Sequence, residues 1–594
     1  MQKRVADIIT ETLVERGITD CFAVVGGGAM QIDNALAINK SINKVFCHHE
    51  QACAMAAESY AKALGRPALV SVTAGPGSLN TFNGIQGAWV DNVPVIVIAG
   101  YPRYETTVAP TGLKLRCRGV QEFDAVSAVE GFTKYARLVT NPLSIRKEVN
   151  KCVDLAMSGR RGPVWLSIPL DVQGAVVDTD ELEENEKEVC EDTEPDTELI
   201  DKLNTLIKNA KRPCILTGSG IRASGSAEEF RKWATRLNMP IVGGALVADA
   251  CYEGMGNYYG MSGNVGPRKG NFILQNADLI IILGNSMAAK QTGFSLQLFA
   301  PNAKRVMVDI EKDEMEKPGL NIDLKICSEL KRFFEMSATV LKPWKTNKEW
   351  RNFCDGIDEI LGNIDSVKAE DDERIPYSLL AEEVLKKAES DAVFALGNSN
   401  GMVGFLQKGV RTPKQRTIVN YNCGSMGDDL PEAIGASVAF KNKRPVYCIT
   451  GDGSVMMNLQ ELQTIQHYGV PVKLIIMSND GYGALRQTFK NFFNGTNVGC
   501  DKESGVSFPD FVKVAEAFNM KAFIAENVGE LEKAVDNLTG TKGSALLLVK
   551  QKYDDPVSPK VMSKMKEDGT FSTPALHEMF PFLEEGKMEK LILK

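Results

Sequence analysis

Apolar runs rich in Val and Ile recur along the chain, and each stops at Gly, Asn or Asp before a helix-like period begins. They are PALVSVTAGPG, VPVIVIAG, KRPCILTGSG, ADLIIILGN, DAVFALGN, RPVYCITGDG and VKLIIMSNDG. Runs that are apolar at successive positions, rather than at alternate ones, predict strands buried on both faces. Strand followed by helix, repeated, predicts βα units with parallel strands. The fold class expected is therefore α/β, built from doubly wound parallel sheets. Ligands of such sheets sit beyond the carboxyl ends of the strands, where these glycines fall. The first residues, MQKRVADIITETLVERG, have the spacing of an amphipathic helix and lack the regions of a signal peptide.

Two polar stretches interrupt the pattern. One, about 177 to 199, is strongly acidic; the other, about 346 to 377, is a charged and partly helical connector. They divide the chain into three α/β domains, 1–178, 195–342 and 375–552, and leave a tail, 553–594. A length of 594 residues suits several cores rather than one. The first and third domains read as similar sheets.

Composition narrows the function. With 44% hydrophobic and 24% charged residues, and no apolar run near the length of a membrane span, a cytoplasmic protein without a membrane partner is expected. A net charge of −8 and a pI near 5.5 argue against nucleic acid. Thirteen cysteines without a CxxC pair argue against a disulfide framework or a structural zinc. Small-molecule chemistry remains.

The stretch ITGDGSVMMNLQELQTI places Asp452 between Gly451 and Gly453 at a strand end, and Asn479 follows 27 residues later (479 − 452). A helix and a strand of this length return Asn479 to the same sheet edge. Asp452 and Asn479 can then share a hard cation, with a carbonyl such as that of Gly481 and a diphosphate completing an octahedron, as Mg²⁺ prefers. The amides of Gly453 and Ser454, opening a helix, would face the phosphates.

This spacing resembles the thiamin-diphosphate fingerprint, and residues 1 to 560 resemble the acetohydroxyacid (acetolactate) synthase and pyruvate oxidase family. The resemblance rests also on HHEQACAMAAESYAKALGRP, VTAGPGSLN, VPVIVIAG, GPVWLSIPLDVQ and GSMGDDLPEAIGA. It implies a pyrimidine-binding, a middle and a diphosphate-binding domain, with thiamin diphosphate and Mg²⁺ as cofactors. Glu50 matches the glutamate that bonds the aminopyrimidine ring and helps ionise the thiazolium. Met426 matches the residue over which the cofactor bends, and the Gly424 carbonyl an acceptor for its exocyclic amine. Gly75, Pro76 and Gly77 match the turn lining the pyrimidine site. Gly397, Asn398 and Ser399 match a diphosphate-contacting loop, although Ala395 departs from the usual acid. Tyr482 and Gly483, in NDGYG, are placed with the cofactor.

The substrate pocket is less clearly written. Gln121 matches a pocket glutamine, but Val120 stands where acetohydroxyacid synthases carry Phe. His48 and His49 beside Glu50 are each either a proton donor and hydrogen-bond partner or a packed core histidine. Arg486 either clamps a substrate carboxylate or phosphate or pairs with a surface acid. In the middle domain GMSG and VMVDIE match flavin-binding relatives, whereas Ser286 replaces an expected Arg, so FAD stays open; GSGIRA, 218 to 223, reads as structural.

The expected activity is decarboxylation of a 2-oxo acid, pyruvate foremost, with transfer of the acyl-anion unit to an acceptor carbonyl, as in acetolactate synthesis. Alternatives are transfer to a keto sugar nucleotide, which the tail's resemblance to surface-polysaccharide proteins suggests; a flavin-containing oxidase or diketone hydrolase; and a non-catalytic relative. The resemblance also implies a homodimer or homotetramer.

Overall fold

All seven apolar runs are interior strands of three six-stranded parallel sheets. In chain order the first sheet comprises Asp20–Ala23, Asn43–Phe46, Leu69–Val72, Ile96–Tyr101, Tyr135–Leu138 and Val164–Pro169. Their spatial order is second, first, third, fourth, sixth, fifth. The third sheet comprises Val393–Leu396, Arg416–Val419, Val446–Gly451, Val472–Ser478, Lys521–Ala525 and Ala545–Lys550, in the same spatial order. The middle sheet, Pro213–Thr217, Ile241–Gly243, Tyr258–Met261, Leu279–Leu283, Lys304–Asp309 and Leu324–Cys327, runs third, second, first, fourth, fifth, sixth. Each order reverses beside its first strand, so each sheet opens a crevice there. The edge strands carry no continuous apolar signal because one side is open: Asn43–Phe46, Tyr135–Leu138 and Lys521–Ala525 each mix buried or half-buried with exposed residues.

The computed structural model describes residues 1–184, 194–247, 249–565, 568 and 570–593. Much of the acidic stretch expected as a linker, 185–193, lies outside them. Among the described residues no helix is long and apolar enough to cross a membrane. The N-terminal helix is shorter than expected, Val5–Glu15, because Gln2–Arg4 pairs antiparallel with Val176–Asp178.

The charged connector is less independent than its composition suggests. Its helix, Lys348–Leu361, buries Trp350, Cys354, Ile357 and Leu361 in the core of the middle sheet, and Trp350 donates to the Pro213 carbonyl at 3.0 Å. The tail joins the same core through Leu576, Met579 and Leu591. Buried Arg268 ties it there, donating to the Met579 and Pro581 carbonyls.

The first and third sheets meet through equivalent helices, each following the second strand of its sheet: Glu50–Leu64 and Asp429–Ala439. Ala52, Ala56 and Ala57 face Ala433 and Ala436 in one core, and a Cβ on Gly435 would collide with the Ala56 carbonyl. Small residues let the backbones touch. The seam also buries charge. Lys62 Nζ contacts Glu58 at 2.6 Å and Asp91 at 2.9 Å, and donates to the Val419 carbonyl at 2.8 Å. Asp428 and Glu432 lie in the same seam, and neither carboxylate oxygen of Glu432 accepts a hydrogen bond. Burial, reinforced by neighbouring carboxylates, pushes Asp428 and Glu432 well above the usual carboxylate range and Glu58 up to about 7.

A carboxyl whose folded pKa is raised binds more protons folded than unfolded, so its penalty grows as pH rises from the unfolded carboxylate value through the folded one. Glu432→Gln is therefore expected to raise the Tm more at pH 8.5 than at pH 5.5. A gain independent of pH, read by thermal denaturation, would contradict this.

Candidate active site

The strand Val446–Gly451 runs directly into a one-turn helix, Asp452–Val455. Gly451 pairs with Met477 of the neighbouring strand, which brings the two strand ends, and so Asp452 and Asn479, side by side. Asp452 is buried; its Oδ2 accepts from the Gly481 amide and the Ser478 hydroxyl, both at 3.2 Å. These neutral donors do not offset burial, which pushes its carboxyl up to about 6. The Asn479 Oδ1 is buried without a hydrogen-bond partner. A desolvated carboxylate beside an orphaned amide oxygen fits a hard cation. Among the described residues no cluster of three or more His, Cys, Asp or Glu side chains could hold a metal, so any cation here relies on amide, carbonyl or diphosphate oxygens as well.

The loops around this pair are laced together. Gly453 has no room for a Cβ because the Tyr482 ring lies on it, and a Cβ on Gly483 would stand 2.6 Å from Asn479 Nδ2. Ser454 Oγ donates to Asp429 Oδ2 at 2.5 Å and accepts from the Gly427 amide at 2.8 Å. Thr450 donates to the same Asp429 oxygen at 2.7 Å, and a Cβ on Gly397 would also meet it. Asn398 donates to the Ser425 carbonyl at 2.5 Å. Gly424 adopts φ +65°, in the left-handed region that favours glycine, and Met426 beyond it is half-buried. Ser399 is exposed, with φ +58°, and opens the helix Ser399–Lys408. Thus Gly397 to Ser399, Gly424 to Met426, Gly451 to Ser454 and Asn479 to Gly483 share one end of the third sheet.

In the first sheet Glu50 opens the helix Glu50–Leu64, capped by His49, whose Nδ1 accepts from the Gln51 amide at 3.1 Å. Glu50 Oε2 accepts from Asn80 Nδ2 at 2.9 Å, and a Cβ on Gly77 would stand 3.2 Å from Glu50 Oε1. Gly75 and Pro76 complete this turn; a Cβ on Gly75 would strike the Gln121 carbonyl. Gln121 is exposed, with φ +55°. Glu50, Gly75 to Gly77 and Gln121 are therefore brought together.

For each histidine and for Arg486 the structure removes one of the two expected alternatives. Neither His48 nor His49 is a core histidine: His48 is exposed, its backbone amide donating to Glu461 at 3.0 Å, and His49 is a helix cap. Arg486 is buried and pairs with no surface acid among the described residues; its Nη2 donates to the carbonyls of Asn479 and Tyr553, each at 2.9 Å, and its guanidinium lies 3.9 Å over the Tyr553 ring.

The two halves face each other. Asn458 Nδ2 donates to Gln51 Oε1 at 3.2 Å and to the Gly427 carbonyl at 2.6 Å, linking the neighbour of Glu50 to the neighbour of Met426. Ser425 Oγ donates to Asn83 at 2.5 Å, and Cys423 Sγ to Gln86 at 2.8 Å. Asn80, Asp429 and Asn458 escaped the sequence reading. All three lie inside quoted stretches, but their partners are brought close only by folding, and no local pattern marks them.

Two sheets of one topology, one offering a carboxylate at a glycine-rich turn and the other a buried carboxylate beside an orphaned amide oxygen, have the layout of an enzyme that takes a diphosphate cofactor. Comparison agrees. Residues 3–127 match the thiamine pyrophosphate enzyme N-terminal TPP binding domain, 200–336 the central domain and 398–549 the C-terminal TPP binding domain. The chain is 30% identical over 585 residues to acetolactate synthase 1, chloroplastic, of Zea mays, covering 94% of this chain and 87% of that protein. It is 29% identical over 551 residues to the acetolactate synthase isozyme 2 large subunit of Escherichia coli (strain K12), covering 92% and 95%. A probable acetolactate synthase large subunit of Methanococcus aeolicus is 29% identical, covering 89% of each. The chain belongs to the acetolactate-synthase-like family of thiamin-diphosphate-dependent enzymes.

Proposed function

We propose that the protein decarboxylates a 2-oxo acid, pyruvate foremost, and transfers the resulting two-carbon unit to an acceptor carbonyl, using thiamin diphosphate and Mg²⁺. The observation that carries this reading is the pairing of Glu50 at one wall with the orphaned Asn479 Oδ1 and buried Asp452 at the other. When bound, thiamin diphosphate supplies a carbon nucleophile and an electron sink for the carbanion that CO₂ loss leaves. Asp452, the Asn479 side chain and the Gly481 carbonyl would hold the cation that neutralises the diphosphate. Asn80 orients the Glu50 carboxylate, which holds or moves a proton at the aminopyrimidine. Tyr482 and Gly483 keep the cation loop against Gly453 and Asn479.

The middle crevice does not suit a flavin. A Cβ on Gly218 would collide with the Gly284 carbonyl, so these glycines serve the approach of two loops of the protein itself, not of a pyrophosphate. Cations at the mouth are already engaged: Lys290 with the Tyr421 carbonyl at 2.6 Å, Lys317 with Glu314 at 2.6 Å, and Arg160 with Glu314 at 2.7 Å. We also propose at least a homodimer. Leu79, Val120 and Met457, each adjoining a site residue, are exposed, and a second copy covering them would shield the reaction from water.

Thiamin diphosphate bound to the protein is expected to exchange its C2 proton at least ~100-fold faster than free cofactor, with Glu50→Gln losing most of that gain. Unaccelerated exchange, or exchange untouched by the substitution, would refute the enzyme reading. The purified protein should sediment as a dimer or larger and show no flavin absorbance near ~450 nm; an active monomer, or stoichiometric FAD, would contradict the two subsidiary proposals.

A further inference from the structure

The cation loop cannot hold its shape through its own strand alone. Asp480 sits at φ +59°, a conformation L-residues rarely adopt, and the sheet register ends at Ser478. Remote segments complete it. Gly481 bridges to Asp501, and the Tyr482 amide donates to the Cys500 carbonyl at 2.8 Å. From the other side comes Arg486, 8% exposed, its Nη2 shared between the Asn479 and Tyr553 carbonyls. Its Nη1 is buried without a partner, and no carboxylate among the described residues pairs with the guanidinium. Burying a guanidinium without a counter-ion is costly, and stacking on Tyr553 offsets only part of that cost.

Tyr553 belongs to the segment following the last strand of the third sheet, and that segment is itself fixed. Asn400 donates to the Asp555 carbonyl at 2.7 Å; the Asp555 carboxylate accepts from the Tyr377 amide at 2.8 Å and from Gln551 at 3.0 Å. Lys490, one turn beyond Arg486 on the same helix, pairs with Asp554 at 2.6 Å. The start of the tail thus forms a strap across the outer side of the cation loop.

We propose that Arg486 is a positioning residue for the cation site, with Tyr553 of the tail as its counterpart: the guanidinium pins the Asn479 backbone to the strap, so that Asn479 Oδ1 is held where the cation needs it. The proposal rests on the reading that Asp452 and Asn479 bind the cation of the diphosphate. Mg²⁺ demands near-ideal octahedral geometry, so a small loss of order in one ligand is felt as affinity. Loss of a partner that orients a ligand typically weakens a metal about 10–100-fold. Lys is not an equivalent replacement, because a compact ammonium does not lie flat on the Tyr553 ring as the planar guanidinium does.

The test uses the full-length protein with thiamin diphosphate, Mn²⁺ as the probe, and electron paramagnetic resonance as the readout. Arg486→Lys is expected to raise the Kd for Mn²⁺ about 10–100-fold, with kcat recovered at saturating cation and cofactor. Tyr553→Ala should shift it in the same direction, and Tyr553→Phe, which keeps ring and carbonyl, should not. If Arg486→Lys fails to fold, the Tyr553 pair decides: weakening by Ala but not Phe supports the proposal, and equal affinities overturn it. Wild-type Mn²⁺ affinity in Arg486→Lys, with an altered KM for the 2-oxo acid, would return Arg486 to the substrate and overturn the proposal. Asp452→Asn separates the two layers: retained affinity there sinks the cation reading itself and this inference with it, whereas its loss alongside intact binding in Arg486→Lys sinks only the inference.

Discussion

The structure depends on the backbone contact between the helices Glu50–Leu64 and Asp429–Ala439. The distance between packed helices is set by the side chains at the crossing, and here there is almost nothing between them: Gly435 lies against the Ala56 carbonyl. That approach fixes how the first and third sheets face each other. It carries Glu50 and the Met426 loop on the N-terminal sides of the two helices, within reach of the single bridging side chain of Asn458. A bulkier residue at the crossing would separate the halves of the site before it touched any group that does chemistry. The alanine-rich composition of the first helix is thus a requirement of the site's geometry as well as of helix formation.

The same closeness buries charge at two places, with different physical solutions. In the seam, Glu58, Asp91, Asp428 and Glu432 share Lys62 among the described residues, and burial raises the carboxyls of Glu58, Asp428 and Glu432, so protonation relieves the cluster. At the sheet end, Asp452 has neutral donors and an orphaned amide oxygen beside it, and the cation proposed there would relieve that charge. Arg486 shows the converse: a buried cation that pairs with no carboxylate among the described residues and donates to two loop carbonyls instead.

How much of this was legible follows from where each signal resides. The seven apolar runs disclosed the sheet interiors, because strands covered on both faces must be apolar throughout; the edge strands stayed hidden because half of each is wet. The connector and tail read as accessories, yet Trp350, Leu576 and Met579 belong to the middle core, since a few well-spaced apolar residues suffice to bury one helix face or a turn. The Asp452 and Asn479 pair was visible because βα geometry converts a spacing of one helix and one strand into adjacency. Gln121 was singled out and does adjoin the Gly75 turn. Asn80, Asp429 and Asn458 were not, and Arg486 was read as a substrate or surface group. Their partners are carbonyls and side chains that tertiary packing brings close, and no sequence period encodes that.

The most direct test of the account is hydrogen–deuterium exchange, followed by mass spectrometry, with and without thiamin diphosphate and Mg²⁺. A cofactor held between the two sheets should protect residues 49–55 and 73–81 of the first together with 424–430, 450–458 and 479–486 of the third, while 284–293 of the middle crevice stays unchanged. Protection confined to the third sheet, or centred on the middle crevice, would contradict the claim that the helix seam builds one site from two halves.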